Sequence, residues 1–289
     1  MKPSGKILLY SLYTFAAVCV FLYLLFPSQI ASELIITQLS NINKDIKINI
    51  KDTHLVFPPG LKFEPLDIAY TSTPVLSMER FKVVPSLFSM LGSQKKISFS
   101  GDLDGGEMKG RAEFLLKDQR RQTMLNVNLT KVPIQAFELL DLLPGYQLAG
   151  YIDSYIDYDS TKGSGGTANI KLDMVPAKVT FSQALMGLEQ LDFSQIESNI
   201  TVTPRMIQIK KCEFTGSQLD GKITGSIIFR RPFNNSRLTL SCTIKPQPAF
   251  LDDQKNTMLG GFLGTASAKN RGIVLRISGT VGRPKYVIR

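Results

Sequence analysis

The sequence has no tryptophan, a single histidine (His54) and only three cysteines among its 289 residues. His54 has no serine or cysteine motif beside it, so the nucleophile–base pair of a hydrolase is not visible. The cysteines, Cys19, Cys212 and Cys242, lack the paired spacing of a zinc site. We therefore expect no catalytic, cofactor-binding or metal-binding residues, and a protein that is not an enzyme.

The scarcity of cysteine also excludes a disulfide framework. Cys19 lies inside a long apolar run, whereas Cys212 and Cys242 lie in strand-like segments. These two could pair in an oxidising compartment. They could equally be two small buried residues, and the sequence leaves both alternatives open.

Acidic and aromatic residues alternate with other residues in the stretch 151–159. Tyr151, Asp153, Tyr155, Asp157 and Asp159 would share one face of a strand, because successive side chains alternate across a strand. Such a face could bind calcium or a basic partner. We favour the alternative, a solvated outer face of a sheet.

Charge is missing altogether from Ile7 to Phe26, a run of twenty residues. A helix of about 20 residues matches the bilayer core of about 30 Å. Lys2 and Lys6 precede the run, and positive flanks stay cytoplasmic. We therefore predict a single-pass anchor, with the N-terminus in the cytoplasm and the rest of the chain exported.

A cleaved signal peptide is the alternative interpretation of this run. Its apolar core would be about 7–15 residues long and would end at a small-residue cleavage site. Here the apolar run is longer and stays bulky up to Pro27, although Ser28 and Ala31 could just support cleavage. Span length favours the uncleaved anchor.

The net charge of +10 is moderate, and no run of lysine and arginine exceeds two residues. That spacing argues against nucleic-acid binding. Lys2 and Lys6 supply two of the positive charges, which leaves +8 outside the anchor (10 − 2). Such an excess favours acidic partners, including anionic lipid surfaces.

Beyond the anchor, apolar and polar residues alternate with a period of two. Ile46, Ile48 and Ile50, for example, alternate with Lys47 and Asn49. This period is typical of half-buried strands, and glycine-containing turns separate many of them. The pattern predicts a mostly β fold: a transmembrane helix followed by an antiparallel sheet with short helices.

The second half of the chain repeats the first. Residues 99–114 align without a gap on 214–229, and residues 125–137 align on 238–250. The aligned pairs include Phe99/Phe214, Gly101/Gly216, Gly106/Gly221, Gly110/Gly225, Phe114/Phe229, Pro133/Pro246 and Phe137/Phe250. These matches predict a duplicated unit, the internal repeat 97–137 and 212–250.

The repeat leads to structural expectations. The pairs Gly101/Gly216 and Gly110/Gly225 should occupy equivalent places in two three-stranded meanders, and Phe114 and Phe229 should both be buried. Each unit should end in a short helix, 133–143 in the first and 248–263 in the second.

Four features of the chain carry a resemblance to a known family: the anchor, FPPGLKFEPLDI (57–68), LTKVPIQAFELLDLLPGYQLAGYID (129–153) and ISGTVGRPKY (277–286). With them the chain resembles the type II secretion system protein N (GspN) family, which is similar to AsmA-type envelope proteins. The resemblance implies a bacterial inner-membrane protein with a curved antiparallel β-sheet. Residues 1–30 would form the cytoplasmic stub and transmembrane anchor, and residues 31–289 a periplasmic AsmA-like β domain.

The resemblance implies two functions. The first is a non-enzymatic accessory component of type II protein secretion, with other inner-membrane components of that system as partners. The second is an AsmA-like envelope protein that binds or transfers lipid on an apolar sheet face. A lipid groove needs an open lane of apolar residues along every strand, whereas a protein-interaction module could close that face with helices. An exported hydrolase is the least favoured alternative.

Overall fold

The computed structural model describes residues 10–14, 46–56, 60–70, 73–86, 92–117, 120–137, 146–163, 165–185, 188–253 and 272–288, and positions 17, 21 and 89. Residues 10–14, 17 and 21 are helical and fall within the predicted anchor. No helix in these described ranges is long and apolar enough to cross a membrane. Most of 7–26 lies outside them, so the anchor and its orientation stay predictions.

The predicted mostly β fold is confirmed, because one antiparallel sheet contains fifteen strands. The first strands are β1 (Ile46–Val56), β2 (Gly60–Tyr70), β3 (Thr73–Met78), β4 (Arg80–Pro85), β5 (Gln94–Leu103), β6 (Gly106–Lys117) and β7 (Arg120–Pro133). The others are β8 (Tyr146–Asp159), β9 (Thr167–Leu185), β10 (Leu188–Val202), β11 (Met206–Gly216), β12 (Leu219–Ile228), β13 (Arg237–Pro246), β14 (Ile273–Thr280) and β15 (Arg283–Ile288).

Strand order in the sheet follows chain order, as a meander requires. Each strand pairs with its neighbours along the chain, except that β3 pairs with β2 off the main path and β2 also pairs with β4. The first and last strands, β1 and β15, form the two edges of the sheet.

Strands β3 and β4 are two parts of one strand that is interrupted at Glu79. Both parts pair with β2 in a single register next to the interruption, Leu66 with Met78 and Phe63 with Phe81. Pro65 of β2 lies opposite Glu79 in that register. Proline has no N–H to give to the ladder, which explains why the pairing breaks at this point.

The best-packed core lies in the N-terminal half of the sheet. Its buried residues are Phe63, Leu66, Met78, Leu103, Val127, Leu129, Val132 and Ala136. A smaller cluster in the C-terminal half joins Phe250 and Leu251 to Leu219 and Ile273. Most of the remaining apolar side chains of the C-terminal strands are only half-buried.

Short helical pieces follow β7 and β13, at the places where the repeat predicts them. The first is a 3₁₀ turn, Ile134–Ala136, and the second is an α-helix, Pro248–Asp253. The other parts of the two predicted helices lie almost entirely in 138–145 and 254–271, outside the described residues.

The two repeat segments have the same strand order, with β5, β6 and β7 corresponding to β11, β12 and β13. Gly101 lies across from Phe81, and Gly216 lies across from Phe193. This pair of glycines therefore faces the same kind of neighbour, a phenylalanine on the preceding strand. The duplication itself stays a prediction.

The second glycine pair is not equivalent, contrary to the expectation. Gly110 lies across from Phe99, whereas Gly225 lies across from Ile209. The positions of the hairpin turns explain the difference. The first hairpin turns at 104–105, which aligns with 219–220 in the repeat, whereas the second hairpin turns two residues earlier, at 217–218. Its strands therefore meet in a different register.

The expectation that Phe114 and Phe229 are buried was wrong. Both side chains are half-buried. Phe114 lies in the second half of β6, and Phe229 follows the end of β12. Both positions lie outside the buried core of the N-terminal half.

Candidate functional site

One row of cross-strand partners crosses the whole sheet and consists of aliphatic or aromatic residues and glycine. From β1 to β15, without β3, its members are Leu55, Leu61, Val83, Phe99, Gly110, Val127, Ile156, Ile170, Ile200, Ile209, Gly225, Leu240, Ile277 and Tyr286. Directly opposite residues of an antiparallel pair share a face. We call this set the apolar row; at the usual strand spacing it is about 60 Å long.

A second row runs beside it on the same face. Its members from β2 to β15 are Phe63, Phe81, Gly101, Met108, Leu129, Ser154, Leu172, Ser198, Cys212, Ile223, Cys242, Leu275 and Ile288. Its two serines are buried, and the Ser154 hydroxyl donates to the Lys171 carbonyl at 2.9 Å. The two rows together make up what we call the apolar face.

The apolar face is only partly covered. Ile170, Ile200 and Leu240 are half-buried, and Tyr286 at the β15 edge is 62% exposed. The helical pieces between the described strands from β7 onward are short: Ile134–Ala136, Phe233–Asn235 and Pro248–Asp253. A continuous apolar surface that is left only partly covered is typical of a ligand or partner site.

The opposite face carries polar side chains that pair with one another. Lys211 contacts Glu197 at 3.4 Å and Glu213 at 2.8 Å, and Lys222 contacts Glu213 at 3.3 Å. The hydrogen bonds from Lys211 and Lys222 hold the pKa of Glu213 below its ordinary value. The two faces of the sheet therefore differ sharply in polarity, as the period-two pattern predicts.

The structure describes the position of His54, the single histidine of the chain. It is exposed on β1, and its cross-strand partner is Lys62. Lys62 in turn forms an ion pair with Glu64 at 2.6 Å. The neighbour across the strand is thus a lysine rather than a nucleophile.

The acidic face of β8 is engaged in local hydrogen bonds. Asp153 accepts from the Lys131 N–H at 2.8 Å, and Asp157 accepts from the Asn126 amide at 2.7 Å. Hydrogen bonds from the Thr161 hydroxyl and N–H lower the pKa of Asp159. In the part of the chain that the structure describes, no three His, Cys, Asp or Glu residues are grouped so that they could hold a metal ion.

Cys212 and Cys242 lie on the apolar face but do not pair. Both are free, and Ile223 of β12 lies between them in the second row. Their Cα atoms are therefore about 9–10 Å apart by strand spacing, beyond the reach of a disulfide. Burial raises the pKa of the Cys242 thiol to about 11, and the nearby Cys212 adds to the shift.

Comparisons with protein-family models, with curated proteins and with solved structures give no match to this chain.

Sequence reasoning predicted the half-buried strands but not the continuity of the apolar row. Continuity depends on the register of each strand pair, and several pairs contain a shift, for example between Asn199 and Ile200. That shift brings Ile209 into line with Ile200. Only the assembled sheet reveals that the apolar positions of all these strands meet.

Proposed function

We propose that this protein is a membrane-anchored, non-enzymatic envelope protein whose apolar face binds lipid acyl chains, in the manner expected of AsmA-like proteins. The observation that carries the proposal is the apolar row, which is continuous from β1 to β15 and half-exposed over much of its length. Burying apolar surface is favourable by about 25 cal/mol per Å². Such a face is therefore stabilised by an apolar occupant.

The dimensions support acyl chains as that occupant. Half of a bilayer core, the depth of one leaflet of lipid tails, is about 15 Å. The apolar row of about 60 Å therefore has room for several tails laid end to end. The right-handed twist common to β-sheets would bend this face into the curved groove that the resemblance to AsmA-type proteins implies.

The predicted anchor gives the groove its supply of lipid. An anchor over 7–26 would hold β1, which begins at Ile46, close to the bilayer surface. Tethering raises the effective concentration of the groove beside its ligand, so a weak affinity suffices. In this proposal the two repeat units form consecutive parts of the same groove.

Site-specific photo-crosslinking tests this function. A photoreactive amino acid at Ile200 would report on the apolar face, and the same probe at Asn199 would report on the opposite face. The two positions are neighbours on β10, and Asn199 is exposed. We expect lipid adducts at position 200 in intact cells and none at position 199, as measured by mass spectrometry of the purified protein.

Protein adducts at position 200 without lipid adducts would contradict lipid binding. They would show that another chain covers the apolar face. Equal lipid labelling at both positions would also contradict the proposal, because it would indicate non-specific contact with the membrane.

A role in type II secretion is the second candidate, and one observation favours it. All six residues of the edge strand β15 are exposed, so a partner could add a strand there through main-chain hydrogen bonds. Thr280 and Arg283 flank a two-residue turn and pair with each other, so residues 283, 285 and 287 direct their N–H groups toward β14. Tyr286→Pro would therefore remove an N–H from the open edge. Reduced export of secreted enzymes in the Tyr286→Pro strain, with normal lipid adducts at position 200, would support the secretion role.

A further inference from the structure

Three connections at one end of the C-terminal strands are joined into a single surface. They are 203–205 between β10 and β11, 229–236 between β12 and β13, and 281–282 between β14 and β15. Their backbones are linked by hydrogen bonds of 2.9 Å: Phe229 N–H to Arg205 O, Val281 N–H to Ser236 O and Gly282 N–H to Asn234 O. This end of the sheet is therefore a fixed platform rather than three independent turns.

The platform carries a concentration of arginine. Arg205, Arg230, Arg231, Arg237 and Arg283 all lie in these connections or at the first position of the strand that follows, and all are exposed. We call this group the arginine end. Within the described part of the chain none of the five forms an ion pair.

Acidic residues are absent from the surrounding sequence. Segments 198–212, 221–251 and 272–289 contain no aspartate or glutamate. At the opposite end of the same strands, by contrast, Asp192, Asp220 and Asp252 lie near the strand ends. The positive charge is thus one-sided and lacks internal compensation.

An exposed aromatic side chain lies among the arginines. Phe233 is 53% exposed, and its ring contacts that of Phe229 at a centroid distance of 6.2 Å. Ile228, at the end of β12, is also exposed. Aromatic residues next to basic ones are typical of the membrane–water interface, where the ring enters the headgroup layer and the cations meet phosphate.

We propose that the arginine end docks on the surface of an anionic lipid bilayer. The arginines would contact headgroup phosphates in bidentate hydrogen bonds, and Phe233 would enter the interface beside them. An acidic protein is less well matched, because the exposed Phe233 and Ile228 call for an apolar layer just beneath the negative charge. The inference rests on the proposed function, since a bilayer held at this end would lie beside the apolar face.

The absence of tryptophan makes a direct test possible. Phe233→Trp would be the only tryptophan in the chain, and Tyr151→Trp, at an exposed position on β8, is the matched control. The full-length variants would be held in nanodiscs of phosphatidylcholine. Each would then be mixed with phosphatidylcholine vesicles that either contain or lack phosphatidylglycerol.

We expect the Phe233→Trp emission to shift to the blue with phosphatidylglycerol vesicles only, and the Tyr151→Trp emission to stay unchanged. A second variant combines Phe233→Trp with three arginine substitutions, Arg205→Gln, Arg230→Gln and Arg231→Gln. Each arginine contributes about fivefold to the affinity for an anionic surface, so this variant should bind vesicles on the order of 100-fold more weakly. The matched charge control is Lys171→Gln, Lys178→Gln and Lys210→Gln, three exposed lysines on other parts of the sheet, which should retain binding. Thermal melts of all variants check that each one folds.

Three results would overturn the proposal. They are equal binding to both kinds of vesicle, no shift with either kind, and binding to soluble poly-glutamate without binding to vesicles. Lipid adducts at position 200 are measured separately. Adducts that persist while the emission does not shift would reject the docking surface and leave lipid binding intact.

Discussion

Phe99 lies directly across from Gly110 on the neighbouring strand, and its ring occupies the space that a side chain at position 110 would need. The glycine thus lets the aromatic ring lie close to the backbone of β6. Phe214 covers Gly221 in the same way in the second half of the chain. The apolar row stays continuous at Gly110 because its neighbour fills the gap.

Gly110→Ala should therefore destabilise the protein by about 1–3 kcal/mol, because the new methyl group displaces the Phe99 ring. Gly92→Ala is the matched control, since its nearest non-neighbouring atom would be 3.7 Å from the new carbon. Urea unfolding followed by circular dichroism measures the difference. Equal midpoints for the two variants would contradict the close contact between Phe99 and Gly110.

The uneven packing of the sheet gives a second prediction. Leu103 is 1% exposed in the core, whereas Leu240 of the apolar row is half-buried. Leu103→Ala should cost about 2–5 kcal/mol. Leu240→Ala removes the same atoms and should cost about half as much, because less contact area is lost. Equal losses in the free energy of unfolding would show that the apolar row is fully covered.

The two cysteines should differ in reactivity. With a pKa of about 11 instead of 9.0, Cys242 has about 100-fold less thiolate than an ordinary cysteine at neutral pH. Labelling with a maleimide at pH 7.5 should therefore modify the half-buried Cys212 first. Oxidant should not join the pair, because β12 separates the two residues. Mass spectrometry of Cys212→Ser and Cys242→Ser variants identifies each site.

Acid should weaken the ion pairs that Glu213 forms with Lys211 and Lys222 on the face opposite the apolar face. Its pKa is lowered in the folded state, so the stabilisation it provides is present above the ordinary value of 4.5 and is lost as the pH falls through the folded pKa. Below pH 4.5, the melting temperature of the Glu213→Gln variant should therefore fall less steeply with decreasing pH than that of the unchanged protein. Glu189→Gln, at another exposed position on the sheet, is the control. If the melting temperature of Glu213→Gln depends on pH as that of the unchanged protein does, the acid sensitivity does not come from Glu213.

The predicted orientation of the anchor can be measured with a fusion. A reporter that is active only outside the cytoplasm, attached after Arg289, should be active, because Lys2 and Lys6 hold the N-terminus inside. Lys2→Glu combined with Lys6→Glu should reduce this activity. A fusion that works only in the cytoplasm would reverse the orientation.

Local patterns sufficed to predict the strands, because alternation as in Ile46, Ile48 and Ile50 is a property of neighbouring residues. Glycine-containing turns were predicted for the same reason, and the turn at 104–105 is one of them. Register was harder, because it depends on where each turn closes. The hairpin turn at 217–218 carries Ser217 and Gln218 instead of glycine, and its position was therefore missed.

The candidate surfaces depend on pairs that are distant in sequence. Leu55 and Tyr286 belong to one row only because all the intervening strands add in order. Similarly, Arg205 and Arg230 are far apart in sequence and become neighbours through the hydrogen bond from Phe229 to Arg205. The overall charge of +10 indicated an acidic partner but could not indicate which end of the sheet meets it.

The sequential strand order has a consequence for how the chain acquires its structure. Nearly every strand pairs with the strand made just before it, so among the described strands no pairing joins strands that are far apart in chain order. When the chain is synthesised from its N-terminus, each new strand can pair with the last strand of the sheet that has already formed. In particular, β15 has only to join β14, and no step requires a late segment to find an early one. Folding can therefore proceed strand by strand from β1.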